Sequence, residues 1–188
     1  MMLFGRLRKY GKNDQPAAGN EPAATVPPVM QRILLVADGS QPSQEAAQLA
    51  INLAANLSCE LLAAFVVDVA LMDYLMQMRI FVKEEREEFE EDLERKGRRV
   101  LLHVQEAGAK VGVEVETILC KGRFHQSILQ LAAEHKVDAI VINGWKYSSA
   151  QKDMSSVERQ LVLDQAECPV IVVKRRQERE GVKIQAKG

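Results

Sequence analysis

The run Ile33-Leu-Leu-Val-Ala37, followed at once by Asp38-Gly-Ser-Gln-Pro-Ser43, decides the fold. Five apolar residues in a row show no period-2 alternation, the pattern of a strand covered on both faces in a parallel sheet. The Asp-Gly-Ser triplet reads as a turn, because Asp bonds its own backbone and Gly accepts positive φ. Ser43, or the Gln41-Pro42 turn before it, then starts a helix. Its Ala46, Ala47, Ala50, Leu53, Ala54 and Leu57 fall on one stripe. A second apolar run, Leu61 to Val67, closes a βαβ unit, right-handed by default.

Three more apolar runs follow, Val113 to Leu119, Ala139 to Asn143 and Val170 to Lys174. Helical patterns near Gln126 to His135 and Ser155 to Gln165 precede the last two. The second crossover, from about Val69 to Gly112, is long. Phe89, Leu93, Val100, Val104, Ala107 and Val111 recur at helical spacing, so a helix of roughly 30 residues reaches about 45 Å. Gly97 interrupts that pattern at a cost near 1 kcal/mol. The run E-E-R-E-E-F-E-E-D is a solvated face with i,i+4 charge pairs. The segment Leu71 to Val82 holds more apolar residues than one helix face needs. It is either a lid or partner surface, with Met supplying adaptable contact, or ordinary core. Five strands and four crossovers make a doubly wound parallel α/β sheet. Such a sheet binds ligands beyond its strand C-termini at a switch point, which here involves Asp38 and Gly144.

The chain has 188 residues, 47% apolar and 27% charged, which suits one domain with tails and excludes collagen, coiled-coil rods and wholly disordered chains. Residues 32–175 form that domain, with a charged tail at 176–188. With 25 basic against 26 acidic residues, the net charge of -1 offers no general attraction for nucleic acid. No apolar run is long enough to span a bilayer, and Met1 to Phe4 is too short for a signal-peptide core, so a soluble, cytoplasmic protein is expected. Cys59, Cys120 and Cys168 are odd in number and widely spaced, the mark of reduced, packed thiols. Residues 1–31 are a flexible arm. Met1 to Lys12 set apolar residues beside four cations, an element suited to an anionic membrane or a partner groove, and a disordered Pro/Ala linker follows.

No catalytic constellation stands out, and an enzyme is not expected. His103, His125 and His135 lack metal-ligand spacing, and there is no G-x-S-x-G elbow, complete P-loop or G-x-G-x-x-G.

Taken in order, the motifs ILLVADGS-x-x-S from Ile33, D-A-I-V-I-N-G from Asp138 and A-x-C-P-V-I-V-V-K ending at Lys174 resemble the universal stress protein family. The resemblance covers about residues 31–175. It implies a Rossmann-like, adenine nucleotide alpha hydrolase-like sheet of order 3-2-1-4-5. It also implies a homodimer formed across the edge strand, through Pro169, Val170, Ile171, Val172 and Val173. Self-pairing would remove an aggregation-prone edge.

Nucleotide-binding members carry G-x2-G-x9-G-[S/T] after the fourth strand, where glycines let backbone N–H groups approach phosphate. Here Gly144 is kept, Tyr147 stands at the second glycine and Ser155-Ser156 at the last pair. The loop is two residues shorter. This looks like the type A branch, whose members are not known as ATP binders, and implies a regulatory or interaction module in the stress response without bound cofactor. The alternative is a sensor holding ATP or AMP through Asp38, Val67, Gly122, Gly144, Ser155 and Ser156. Trp145 either covers the crevice or packs on it, and Lys146 and Lys152 leave weak anion binding open. The resemblance also implies Ser phosphorylation, with Ser155 and Ser156 as candidates.

Overall fold

The structure, a computed structural model, describes residues 29–80, 83–145 and 154–174. Ten elements follow one another: β1 (Arg32–Val36), α1 (Gln41–Leu57), β2 (Glu60–Asp68), α2 (Val69–Gln77), α3 (Lys83–Ala109), β3 (Val115–Gly122), α4 (Phe124–Glu134), β4 (Ala139–Asn143), α5 (Met154–Gln165) and β5 (Val170–Val173). The strands form one parallel sheet of order β3-β2-β1-β4-β5, as the motifs imply. Strand β3 starts two residues later than expected, because Val113 is buried in the turn that leaves α3.

Strand β1 lies at the centre, with Leu34 opposite Leu62 on one side and Ile140 on the other. Its side chains alternate between two cores. Ile33 and Leu35 face Ala46, Ala50, Ile51 and Ala54 of α1 and Leu101 and Val104 of α3. Leu34 and Val36 face Ile128 and Leu131 of α4 and Val162 of α5. All four β1 residues are at most 1% exposed, which explains why the run is apolar without alternation.

Helix α1 is capped by Ser40, not Ser43. The Ser40 Oγ accepts the Ser43 N–H at 3.3 Å, with Pro42 in the first turn where no amide donor is needed. The expected stripe holds for the alanines, but Leu57 is exposed and Ile51 takes the core position.

Helix α3 runs unbroken through Gly97, so the expected interruption does not occur. Gly97, Leu101, Val104 and Gly108 lie at i, i+4, i+7 and i+11 on the sheet-facing side. A Cβ at Gly97 would stand 2.5 Å from Leu119 Cδ1 and 2.6 Å from Phe65 Cδ1, and one at Gly108 would stand 2.6 Å from Val115 Cγ2. The glycine is the contact surface that lets helix and sheet approach. Val111, expected on the stripe, is exposed beyond the helix end. On the outer side the acidic run forms the expected charge pairs: Arg95 with Glu91 and Asp92, Arg98 with Glu94, and Lys121 with Glu90 and Glu94.

The apolar segment before α3 divides between the two readings. Asp68 Oδ1 accepts the Ala70 N–H at 3.0 Å to start α2, and Met72 is fully buried as core. Tyr74, Met78 and Ile80 are exposed, whereas Phe81 and Val82 lie outside the described residues. The arm before residue 29 and the tail after 174 also lie outside them.

In an open helix, Gly to Ala stabilises by about 1 kcal/mol. At position 97 the clash dominates, and Gly97→Ala is expected to lower stability by about 1–3 kcal/mol in urea unfolding. A gain in stability would show that the helix–sheet contact is looser than this.

Candidate functional site

After β1 the chain crosses toward β2, and after β3 it returns to β4 on the opposite face, so the switch point opens between the C-terminal ends of β1 and β4. The turn leaving β1 is held by its own side chains. Gly39 adopts φ +77, in the region that favours glycine, and a Cβ there would sit 2.6 Å from Val100 Cγ2. Asp38 Oδ1 accepts the Ser40 N–H at 2.8 Å, and Ser43 Oγ accepts the Asp38 N–H at 3.0 Å.

The other oxygen of Asp38 points across the crevice. Its Oδ2 accepts from Arg159 Nη2 at 2.8 Å and from Asn143 Nδ2 at 3.2 Å. Arg159 comes from α5, is 11% exposed at its side chain, and stacks 5.3 Å from the Phe124 ring centroid of α4. One carboxylate thus ties together β1, β4 and α5. Burial pushes the Asp38 carboxyl up. Hydrogen bonds from Ser40, the Arg159 charge and the Asn143 amide outweigh it and hold the group below the ordinary aspartate value. Asp138 is likewise lowered, by the Gln31 and Arg32 amides it accepts at 2.6 and 2.9 Å, and it pins the entrance of β1.

Other expected site residues take different positions. Gly144 ends β4 and donates to the Val173 carbonyl at 2.7 Å. A Cβ there would stand 3.0 Å from that oxygen, so this glycine seats β4 against β5. Gly122 closes β3 with φ +155 beside Ser127. Val67 is fully buried, its side chain packed in the α1/α3 core. Ser156 is buried on the first turn of α5, and Trp145 is half-buried at the exit of β4. The Ser155 side chain and Lys146, Tyr147 and Lys152 lie outside the described residues. Asp38, Asn143, Gly144 and Arg159 are therefore the crevice as described.

Sequence reasoning gave no role to Arg159 or Asn143. A signal for Arg159 exists: Ser156, Arg159 and Val162 follow at i, i+3 and i+6, which puts this cation on the inward side of α5.

His125 serves the helix packing. Glu158 Oε2 accepts both the His125 N–H at 2.9 Å and its Nδ1 at 2.6 Å, supplying from α5 the cap that Arg123 does not give α4. Among the described residues no group of three or more His, Cys, Asp or Glu is placed to hold a metal. No helix among them is long and apolar enough to cross a membrane. Cys59, Cys120 and Cys168 are free, and burial pushes each thiol up, away from the reactive thiolate.

Residues 30–174 match the sequence model of the Universal stress protein family. The chain belongs to this family. Universal stress protein MJ0531 of Methanocaldococcus jannaschii is 29% identical over 145 residues, which cover 77% of this chain and 82% of the relative. Among solved structures, universal stress protein UspA from Lactobacillus plantarum superposes with a TM-score of 0.61 at 23% identity, covering 76% of this chain and 97% of that one. The universal stress protein from Archaeoglobus fulgidus in complex with dAMP superposes with a TM-score of 0.53 at 17% identity, covering 77% and 98%. These likenesses agree with the doubly wound sheet.

Two expectations follow for this universal stress domain. Asp38→Ala removes the carboxylate that the largely buried Arg159 guanidinium donates to, and is expected to cost about 3 kcal/mol. A double-mutant cycle with Arg159→Met should give a coupling of about 1–3 kcal/mol, and additive losses would show that the two side chains do not interact. Asp38 and Asp138 both titrate lower in the folded chain than in the unfolded one. Their stabilisation is therefore complete above the ordinary carboxylate range and drains away as pH falls below it, through the lowered values of the folded chain. Asp38→Asn with Asp138→Asn should flatten the acid limb of stability against pH; an unchanged slope would remove these carboxyls as its source.

Proposed function

We propose that this universal stress protein is a dimeric, non-enzymatic interaction module whose crevice holds no nucleotide. The observation that carries this reading is the occupied Asp38 carboxylate. Its outward oxygen already receives Arg159 and Asn143, so a nucleoside hydroxyl would have to displace a charge-assisted bond. Phosphate fares no better among the described residues. The Arg159 charge is already engaged by Asp38, so a phosphate would have to compete with that ion pair. Gly144 is committed to β5. The shortened, Tyr-bearing loop seen in the sequence supports the same reading.

The module would act by presenting surfaces. Edge strand β5, with Pro169 to Val173, pairs β4 on one side only and suits a second copy. Tyr74, Met78 and Ile80 after β2 offer an apolar surface to a protein partner. We place the protein in the cytoplasm, in keeping with three free thiols. Membrane contact through Met1 to Lys12 belongs to the same proposal and rests on sequence alone.

A nucleotide-sensing reading is favoured by one observation. Asp38, Gly122 and Gly144 stand at the C-terminal ends of β1, β3 and β4 in one sheet, and the Archaeoglobus fulgidus relative is described in complex with dAMP. Acid extraction of the purified protein separates the two. The proposed reading expects no stoichiometric ATP or AMP and no melting shift with ATP and magnesium; a stoichiometric adenine nucleotide in the extract would replace it with the sensor. For the edge, Ile171→Lys with Val173→Lys should convert a dimer to a monomer in light scattering, and a dimer that survives both charges would place the interface elsewhere.

A further inference from the structure

Helix α1 leans toward β4 and α3 toward β2 and β3, which leaves a groove of about 550 Å³ between them on one face of the sheet. This size falls within the range of small-molecule sites. Its floor is apolar, formed by Ala47, Ile51, Val104 and Ala107. Its α3 rim carries the cations Lys96 and Arg99, with His103 following at i+7 on the same stripe along the groove. The α1 rim supplies neutral Gln44 and Gln48.

The charges on this rim are unusual for α3. Arg95 and Arg98, which point elsewhere, pair with Glu91, Asp92 and Glu94, and Glu90 and Glu94 also hold Lys121. Among the described residues Lys96 and Arg99 have no acidic partner, and no acid lines the groove. The ion-paired acids of the helix are thus engaged by Arg95, Arg98 and Lys121, which leaves Lys96 and Arg99 as two cations beside an apolar trough. The stem of Lys96 lies over the β1–α1 turn, its Cε 3.3 Å from the place of a Cβ at Gly39. From Lys96 to Ala107 the trough runs roughly 16 Å along the helix.

We propose that this groove binds a small amphipathic anion of the medium-chain carboxylate class. The carboxylate would take hydrogen bonds from Lys96 and Arg99 and the acyl chain would lie on Val100, Val104 and Ala107. The site is distinct from the Asp38 crevice, so it stands whether or not nucleotide binds there.

Sodium decanoate titrated calorimetrically into the full-length protein, below its critical micelle concentration, tests this. Saturable binding is expected, with decyltrimethylammonium, which has the same tail and the opposite head charge, failing to compete. Lys96→Gln with Arg99→Gln, both at exposed positions, should weaken decanoate about tenfold or more, and Arg95→Gln with Arg98→Gln should leave it unchanged. Absence of saturable binding, equal binding of the cationic amphiphile, or equal losses in the two double variants would each overturn the proposal.

Discussion

A strand buried on both faces must still end, and what happens to its last polar groups governs the surroundings. Strand β1 carries four side chains that are all but sealed from water and then meets Asp38, a carboxylate at the mouth of two cores. Leaving that charge half-buried without partners would cost several kcal/mol. The structure meets the demand from three directions. The turn supplies the Ser40 amide, β4 supplies Asn143, and α5 supplies Arg159. Because each donor belongs to a different element, one local requirement fixes how the β4–β5 half of the sheet sits against the centre.

The same requirement shapes what the crevice offers. A carboxylate that faces a ligand in an open switch point can orient a sugar or a metal; one bound to an internal guanidinium cannot without first giving that bond up. Surfaces away from the crevice gain weight in consequence: the half-open edge at β5, the exposed aromatic and methionine after β2, and the cation-rimmed trough between α1 and α3.

Much of this was legible in the residues. Apolar runs marked all five strands, and several lack alternation because a parallel sheet covered by helices on both faces leaves few polar positions to alternate with. The alanine stripe of α1 marked its buried side for the same reason. Other features escaped because they depend on pairs of elements. Gly97 reads locally as a helix breaker, and only the nearness of Phe65 and Leu119 turns it into a contact. Gly144 reads as a phosphate glycine until β5 is seen against it. Arg159 was in plain view on α5, yet its partner lies 121 residues away in the chain. Of the two starts expected for α1, Gln41-Pro42 holds, and Ser43 lies inside the helix and braces the turn.

The claim on which this account turns is that Arg159 holds Asp38 in place of a ligand. Its most direct test is a crystal structure grown with excess ATP and magnesium. The account predicts the guanidinium still on the Asp38 carboxylate and no ordered nucleotide at the ends of β1 and β4. A ribose hydrogen-bonded to Asp38, with Arg159 turned away toward solvent or phosphate, would contradict it.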